Sequence, residues 1–307
     1  MIEERITVGE GTAFPLKGML TLPDALTKKV PAVVLVHGSG SSNMDEKVMA
    51  LTPFRDLAEG LAARGIAAVR YDKRSFAHPF KLLRNKALTV REETIEDAIL
   101  AAELLRKDAR IDPARIFIAG HSMGGMLAPR IDAEGGNFAG LILLAGSPRR
   151  IEEILVEQTS EMLAEMKGLT RRIMEKQAKK LLSGFDGLYE MSDEQAKKKK
   201  YGGGVTMYYF KEMGEHDVPG YLEKTAKPML ILQGEKDFQV KPDRDFARYK
   251  ELLAGRENVT FKLYENLNHV FVPSVYGKIS MAKQEYSKKQ SFSAEVIADI
   301  ASWIHSI

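Results

Sequence analysis

One serine stands between two glycines in Gly120-His121-Ser122-Met123-Gly124, and that spacing points to chemistry. The residues before it, Arg115-Ile116-Phe117-Ile118-Ala119, have the composition of a buried strand, and Met123 to Arg130 can start a helix. A strand that turns sharply through Gly-x-Ser-x-Gly into a helix is the context of a nucleophile elbow. Side chains at the two flanking positions would obstruct so tight a turn, and Gly120 and Gly124 remove them. A serine hydroxyl is a poor nucleophile at neutral pH. It needs a base within hydrogen-bond reach, and the base needs a carboxylate to orient it. Backbone N–H groups must also meet the oxyanion that forms on attack. The chemistry so specified is acyl transfer.

The elements that would position these groups alternate regularly. Ile6 and Val8, then Phe14 to Leu22, read as two strands joined by a turn at Gly9-Glu10-Gly11. Pro31-Ala32-Val33-Val34-Leu35-Val36 is a continuous apolar run, as expected for a strand buried on both faces of a parallel sheet. Phe54, Leu57, Ala58 and Leu61 share one face of a helix, and Ile66 to Tyr71 is the next strand. A helix over Glu92 to Lys107, a turn at Asp112-Pro113, the serine strand and the strand Ala139 to Ala145 follow. Strands and helices alternating in this way predict βαβ units in a mostly parallel sheet. From about 148 to 226 the rhythm breaks into a helical insertion, with Ile151, Ile154, Leu155, Leu169 and Ile173 at helical spacing. It resumes with strands at Pro228 to Gly234 and Val259 to Tyr264, a helix around Asp243 to Leu253, and a last helix over Ala294 to His305.

Nucleophile-elbow sheets carry serine, acid and histidine in that chain order, each on a loop at the carboxyl end of a strand. Three histidines follow Ser122: His216, His269 and His305. His216 falls in the insertion and His305 near the end of a helix, whereas His269 follows the last strand. Asp237 lies just past the strand ending in Gly234 and is preferred over Glu235 and Asp243, with Asp243 expected to cap the next helix. The oxyanion donors expected are the backbone N–H of Met123 and that of Ser39 in the loop His37-Gly38-Ser39-Gly40. His37 and His121 are expected to be structural, and Asp72-Lys73-Arg74 an ion-pair brace.

In this order the residues resemble the α/β-hydrolase superfamily, over nearly the whole chain. Gly120-His121-Ser122-Met123-Gly124-Gly125, His37-Gly38-Ser39-Gly40, Gln233-Gly234-Glu235-Lys236-Asp237 and Asn268-His269 carry the resemblance. Tyr71-Asp72-Lys73-Arg74 is most similar to dienelactone-hydrolase-like and serine-aminopeptidase-like esterases, although true dienelactone hydrolases use a cysteine and this chain has none. The resemblance implies an α/β-hydrolase fold, a mostly parallel eight-stranded sheet flanked by helices. Residues 1–147 and 227–307 would form its core and 148–226 a helical cap. It implies a serine esterase with the catalytic triad Ser122-Asp237-His269, acting on a small-molecule ester without metal or organic cofactor. An amidase or aminopeptidase, an acyltransferase and a non-catalytic binding protein are the alternatives. Acidic residues facing the pocket, for which Glu212, Glu215 and Asp217 are candidates, would favour a free-amine substrate.

Composition narrows the partners. With 45 Lys and Arg against 42 Asp and Glu, the net charge of +3 gives no case for nucleic-acid binding, and Lys197 to Lys200 reads as a solvated helix end. No apolar run is long enough to span a membrane. The N-terminal residues lack a signal-peptide pattern, so the expected location is cytoplasmic. The insertion also offers a helix for homodimer formation.

Overall fold

The computed structural model describes residues 1–24 and 26–307. Eight strands form one sheet: β1 (Ile2–Val8), β2 (Leu16–Leu22), β3 (Val30–Val36), β4 (Ala67–Tyr71), β5 (Ile111–His121), β6 (Leu141–Leu144), β7 (Met229–Gly234) and β8 (Val259–Tyr264). Their spatial order is β1-β2-β4-β3-β5-β6-β7-β8. β2 runs antiparallel to both β1 and β4, and every pairing from β4 to β8 is parallel. The chain moves one way from β3 to β4 and the other way from β3's far side onward. Ligands of open α/β sheets bind beyond the carboxyl ends of the strands at such a reversal.

All seven residues of β3 are buried because helices cover both sheet faces. Val34 and Val36 pack with Ala98, Ala102 and Leu105 of one helix, and Val33 and Leu35 with Phe54, Leu57 and Leu61 of another. That alternation is the period of a strand. The two helices are α1 (Pro53–Ala62) and α2 (Glu96–Lys107). Helix α3 (Met123–Ile131) follows β5 directly.

Between β6 and β7 the described residues form α4 (Ile151–Glu165), α5 (Gly168–Leu182), α6 (Asp193–Lys198), α7 (Met207–Glu215) and α8 (Val218–Lys224). The only strand-like pairing there is one bridge, Lys200 to Thr206. Phe185, Tyr201 and Phe210 pack ring to ring at 4.6–5.1 Å. Helix α5 is different: Leu169 is 73% exposed and Ile173 52%.

Two expectations change. Asp112-Pro113 is not a turn ahead of the strand but a bulge inside it: β5 pairs Ile111 with Val30 and Ile116 with Ala32, with the residues between looped out. Proline has no N–H for the ladder, which suits it to such a bulge. Asp243 caps nothing and is exposed. The helix start carries no side-chain cap, and the buried carboxylate there is Asp245, which accepts the Lys241 N–H at 2.9 Å, Ser147 Oγ at 2.5 Å and Arg149 Nε at 2.8 Å.

The junction of β3, β5 and α3 leaves no space for side chains. A Cβ on Gly124 would lie 2.2 Å from the Val36 carbonyl oxygen, and one on Gly120 2.1 Å from that of Gly124. Backbone atoms cannot move aside as a flexible side chain can. Gly124→Ala is therefore expected to lower the melting temperature by about 5–10 °C, and a loss within about 1 °C would show that the junction has slack.

Candidate active site

Ser122 sits at the top of β5 with φ 53° and ψ −117°, left-handed backbone that a non-glycine residue adopts only under constraint. The constraint is visible on both sides. Its N–H donates to the Leu144 carbonyl at 2.8 Å, and its own carbonyl accepts the Met126 N–H at 3.1 Å. Strand β6 thus holds the turn from below while α3 begins above it.

Asp237 and His269 come together although 32 residues separate them, with His269 Nδ1 2.8 Å from Asp237 Oδ2. The Asp237 carboxylate is fully engaged. Oδ2 also accepts Gln233 Nε2 at 2.7 Å, and Oδ1 accepts the N–H groups of Gln239 and Val240 at 2.7 and 2.9 Å. The His269 loop is anchored by Glu285, whose buried carboxylate accepts Asn268 Nδ2 at 3.1 Å, Ser274 Oγ at 2.7 Å and the Tyr276 N–H at 2.8 Å. Burial works to raise the Glu285 pKa, but these donors hold it below 4.5. Sequence reasoning missed Glu285, since nothing in its local pattern marks it.

The rival residues are occupied elsewhere. His216 Nδ1 lies 2.8 Å from the Tyr221 hydroxyl, and His305 Nε2 donates to the Arg64 carbonyl at 2.9 Å. Exposed Glu235 meets Lys236 at 3.3 Å. The Ser122 hydroxyl itself has no hydrogen-bond partner among the described residues, so the structure joins Asp237 to His269 and bonds Ser122 to neither.

His37 and His121, expected to be structural, are both buried and hydrogen-bonded to backbone. Burial pushes His37 down to about 4, so the ring is neutral and Nε2 donates to the Asn43 carbonyl at 2.9 Å. His121 Nε2 donates to the His269 carbonyl at 2.9 Å, and its Nδ1 lies 3.0 Å from Glu46 Oε2, out of line with the ring N–H. Glu46 Oε1 accepts the Gly38 N–H at 2.8 Å. Glu46, unmarked in the sequence, therefore links the Ser39 loop to the His269 loop through His121. Of the expected Asp72-Lys73-Arg74 ion-pair brace, Lys73 and Arg74 form ion pairs and Asp72 bonds backbone instead. Asp72 accepts the Met44 N–H at 2.9 Å, Lys73 lies 3.4 Å from Glu93, and Arg74 pairs with Asp97 at 2.5 Å.

A cavity of about 520 Å³ opens beside this centre. Ser39 and Met123 line it from the core, and Ile151, Leu155, Tyr209 and Phe210 from the helices between β6 and β7. No acceptor among the described residues meets the backbone N–H of Ser39 or Met123, so both donors are unspent.

Residues 27–272 match the family described as serine aminopeptidase, S33, a span that holds Ser39, Ser122, Asp237 and His269. The chain belongs to that family. Esterase EstD of Thermotoga maritima is 33% identical to this S33-family chain over 293 residues, 95% of the chain and 66% of EstD. The chain thus spans just under two thirds of that relative. Among solved structures, the Pyrococcus furiosus esterase Pf2001 aligns with TM-score 0.60 at 14% identity, covering 99% of this chain and 91% of that one. Proline iminopeptidase of Mycobacterium smegmatis aligns with TM-score 0.60 at 15% identity, covering 99% and 98%. An esterase and a peptidase fit this S33-family chain equally well, so they establish the α/β-hydrolase fold and nothing finer. No helix among the described residues is long and apolar enough to cross a membrane.

Burial opposes the charged form of His121, yet the Glu46 carboxylate outweighs it and lifts the pKa above 6.5. Burial would raise Glu46, yet His121 draws it below 4.5. A raised histidine contributes stability that is full below its free value and lost as pH rises through its folded pKa. Glu46→Gln removes that contribution. Its melting-temperature deficit against wild type is expected to be larger at pH ~5.5 than at pH ~9. A deficit that does not change with pH would mean that the pair is not charged.

Proposed function

We propose that this chain is a carboxylic-ester hydrolase that works through an acyl-enzyme on Ser122. The observation that carries the reading is convergence at one sheet edge. The strained serine, the hydrogen-bonded Asp237–His269 pair and two unspent amides all stand at carboxyl ends of strands, next to one apolar cavity. In this reading Ser122 Oγ attacks the ester carbonyl while His269 Nε2 takes its proton. Asp237 keeps the imidazole proton on Nδ1 and stabilises the imidazolium. The N–H groups of Ser39 and Met123 receive the oxyanion, each donor being worth about 10²–10³ in rate. His269 returns its proton to the leaving alkoxide, then activates the water that frees the acid. No step needs a metal or organic cofactor. Residues 148–226 act as a cap over a core of 1–147 and 227–307, roofing the substrate.

Ester over free-amine substrate is favoured by where the carboxylates went. Glu212 is taken by Arg130 at 2.5 Å, Glu215 lies 3.5 Å from Lys211, and Asp217 caps α8 by accepting the Gly220 N–H at 3.3 Å. Among the described residues, the one carboxylate lining the cavity, Glu93, already accepts the Tyr209 hydroxyl at 2.6 Å. An ammonium group would find no free counter-charge there. The apolar lining instead suits a hydrocarbon or aromatic portion of an ester.

Nitrophenyl esters of rising acyl length, set beside aminoacyl anilides, test this. Burying one methylene is worth about 0.8 kcal/mol, so kcat/KM is expected to climb about 3- to 4-fold per carbon until the cavity is full. Anilide cleavage exceeding ester cleavage would turn the reading to a peptidase. Ser122→Ala and His269→Ala are expected to lower kcat by about 10⁴-fold or more, and Asp237→Asn by about 10⁴-fold. A wild-type chain that a fluorophosphonate probe does not label at Ser122 would sink every acyl-enzyme version.

A further inference from the structure

Lys73 is 2% exposed, and its ammonium pairs with the buried Glu93 carboxylate at 3.4 Å. Its shortest contact is to backbone, with Nζ donating to the Gly38 carbonyl at 2.9 Å. That carbonyl belongs to the same peptide unit as the Ser39 N–H. In a planar trans peptide the C=O and N–H point opposite ways, and no peptide among the described residues is cis. A cation that fixes the oxygen on the core side therefore turns the Ser39 N–H away from the core, toward the cavity that Ser39 lines. The preceding peptide is fixed as well, because the Gly38 N–H donates to Glu46 Oε1 at 2.8 Å. Two buried charges of opposite sign thus set both peptide planes around Gly38.

We infer that Lys73 is a positioning residue for the oxyanion hole, orienting and polarising the Gly38–Ser39 peptide so that its N–H meets the developing oxyanion. The inference rests on the ester-hydrolase reading of Ser122. A packing role alone explains the lysine poorly, because an apolar side chain of its size would fill the space without the cost of burying an ammonium. Polarisation adds to orientation. A charged donor on the carbonyl oxygen draws electron density through the amide and strengthens its N–H as a donor. Glu93 keeps the ammonium in place, and the Tyr209 hydroxyl of α7, donating to Glu93 Oε2 at 2.6 Å, ties this support to the helices over the cavity.

The test compares a nitrophenyl ester with its matched thionoester, whose sulfur accepts hydrogen bonds poorly and gains little from an oxyanion hole. In Lys73→Met the oxo ester is expected to lose about 10- to 100-fold in kcat with KM changed by less than about 3-fold, while the thionoester loses less than about 3-fold. The oxo-to-thiono ratio therefore collapses toward unity. The same collapse is expected in Lys73→Gln, whose polar amide keeps the test available if the methionine variant does not fold. Equal losses on both esters, or a ratio at the wild-type value, would overturn the positioning role. Those outcomes leave the Ser122 reading standing when wild type still cleaves the oxo ester and Ser122→Ala does not. If wild type cleaves neither ester, both readings fall.

Discussion

At the elbow three backbone segments approach one another more closely than any Cβ allows. The carbonyl of Val36 reaches to within 2.2 Å of where a side chain on Gly124 would begin, and Gly120 meets the same helix from the other side. Because that contact is backbone on backbone, the turn between the glycines has few ways to relax, and Ser122 is held in left-handed backbone. The same approach brings the end of β3 beside the serine: a Cβ on Gly38 would lie 3.1 Å from that of Ser122. The loop after β3 and the serine are therefore neighbours by close packing, before any polar contact is considered.

Around this junction the protein buries an unusual number of charges. Glu46, Lys73, Glu93, Asp237 and Glu285 are all less than a tenth exposed. Burying a charge is costly unless its hydrogen bonds are completed, and here the completing groups are largely backbone. Glu285 takes the Tyr276 amide of the loop after His269, Asp237 takes those of Gln239 and Val240, and Glu46 and Lys73 hold the two sides of Gly38. Each of these four fixes a loop that would otherwise have no ladder to pair with. His121 joins two of these loops, since one nitrogen meets the His269 carbonyl and the other faces Glu46.

Where the acidic side chains end up also shapes the chemistry on offer. A sheet of this order does not by itself fix any chemistry, so what distinguishes this chain is the lining of its cavity. The insertion contributes apolar and aromatic faces, Ile151, Leu155, Tyr209 and Phe210, and spends its carboxylates on its own helices and on Arg130.

Much of this was legible in the chain. Apolar runs and helical periodicity located all eight strands and the helical stretch between β6 and β7, because burial on one or both faces writes itself into neighbouring residues. The elbow was legible for the same reason, as Gly120, Ser122 and Gly124 act within five positions. The meeting of Asp237 with His269 was anticipated from strand order, a property of connectivity. Asp112-Pro113 and Asp243 were misplaced because a bulge and a cap depend on which partner lies opposite. Glu46, Glu93 and Glu285 left no local trace, and the bond from Lys73 to Gly38 spans 35 residues of chain. The sequence by itself determined which segments become strands and helices and which serine stands at the turn. Only the tertiary structure decided which buried charges hold the loops around it, because those contacts join residues that neither periodicity nor spacing relates.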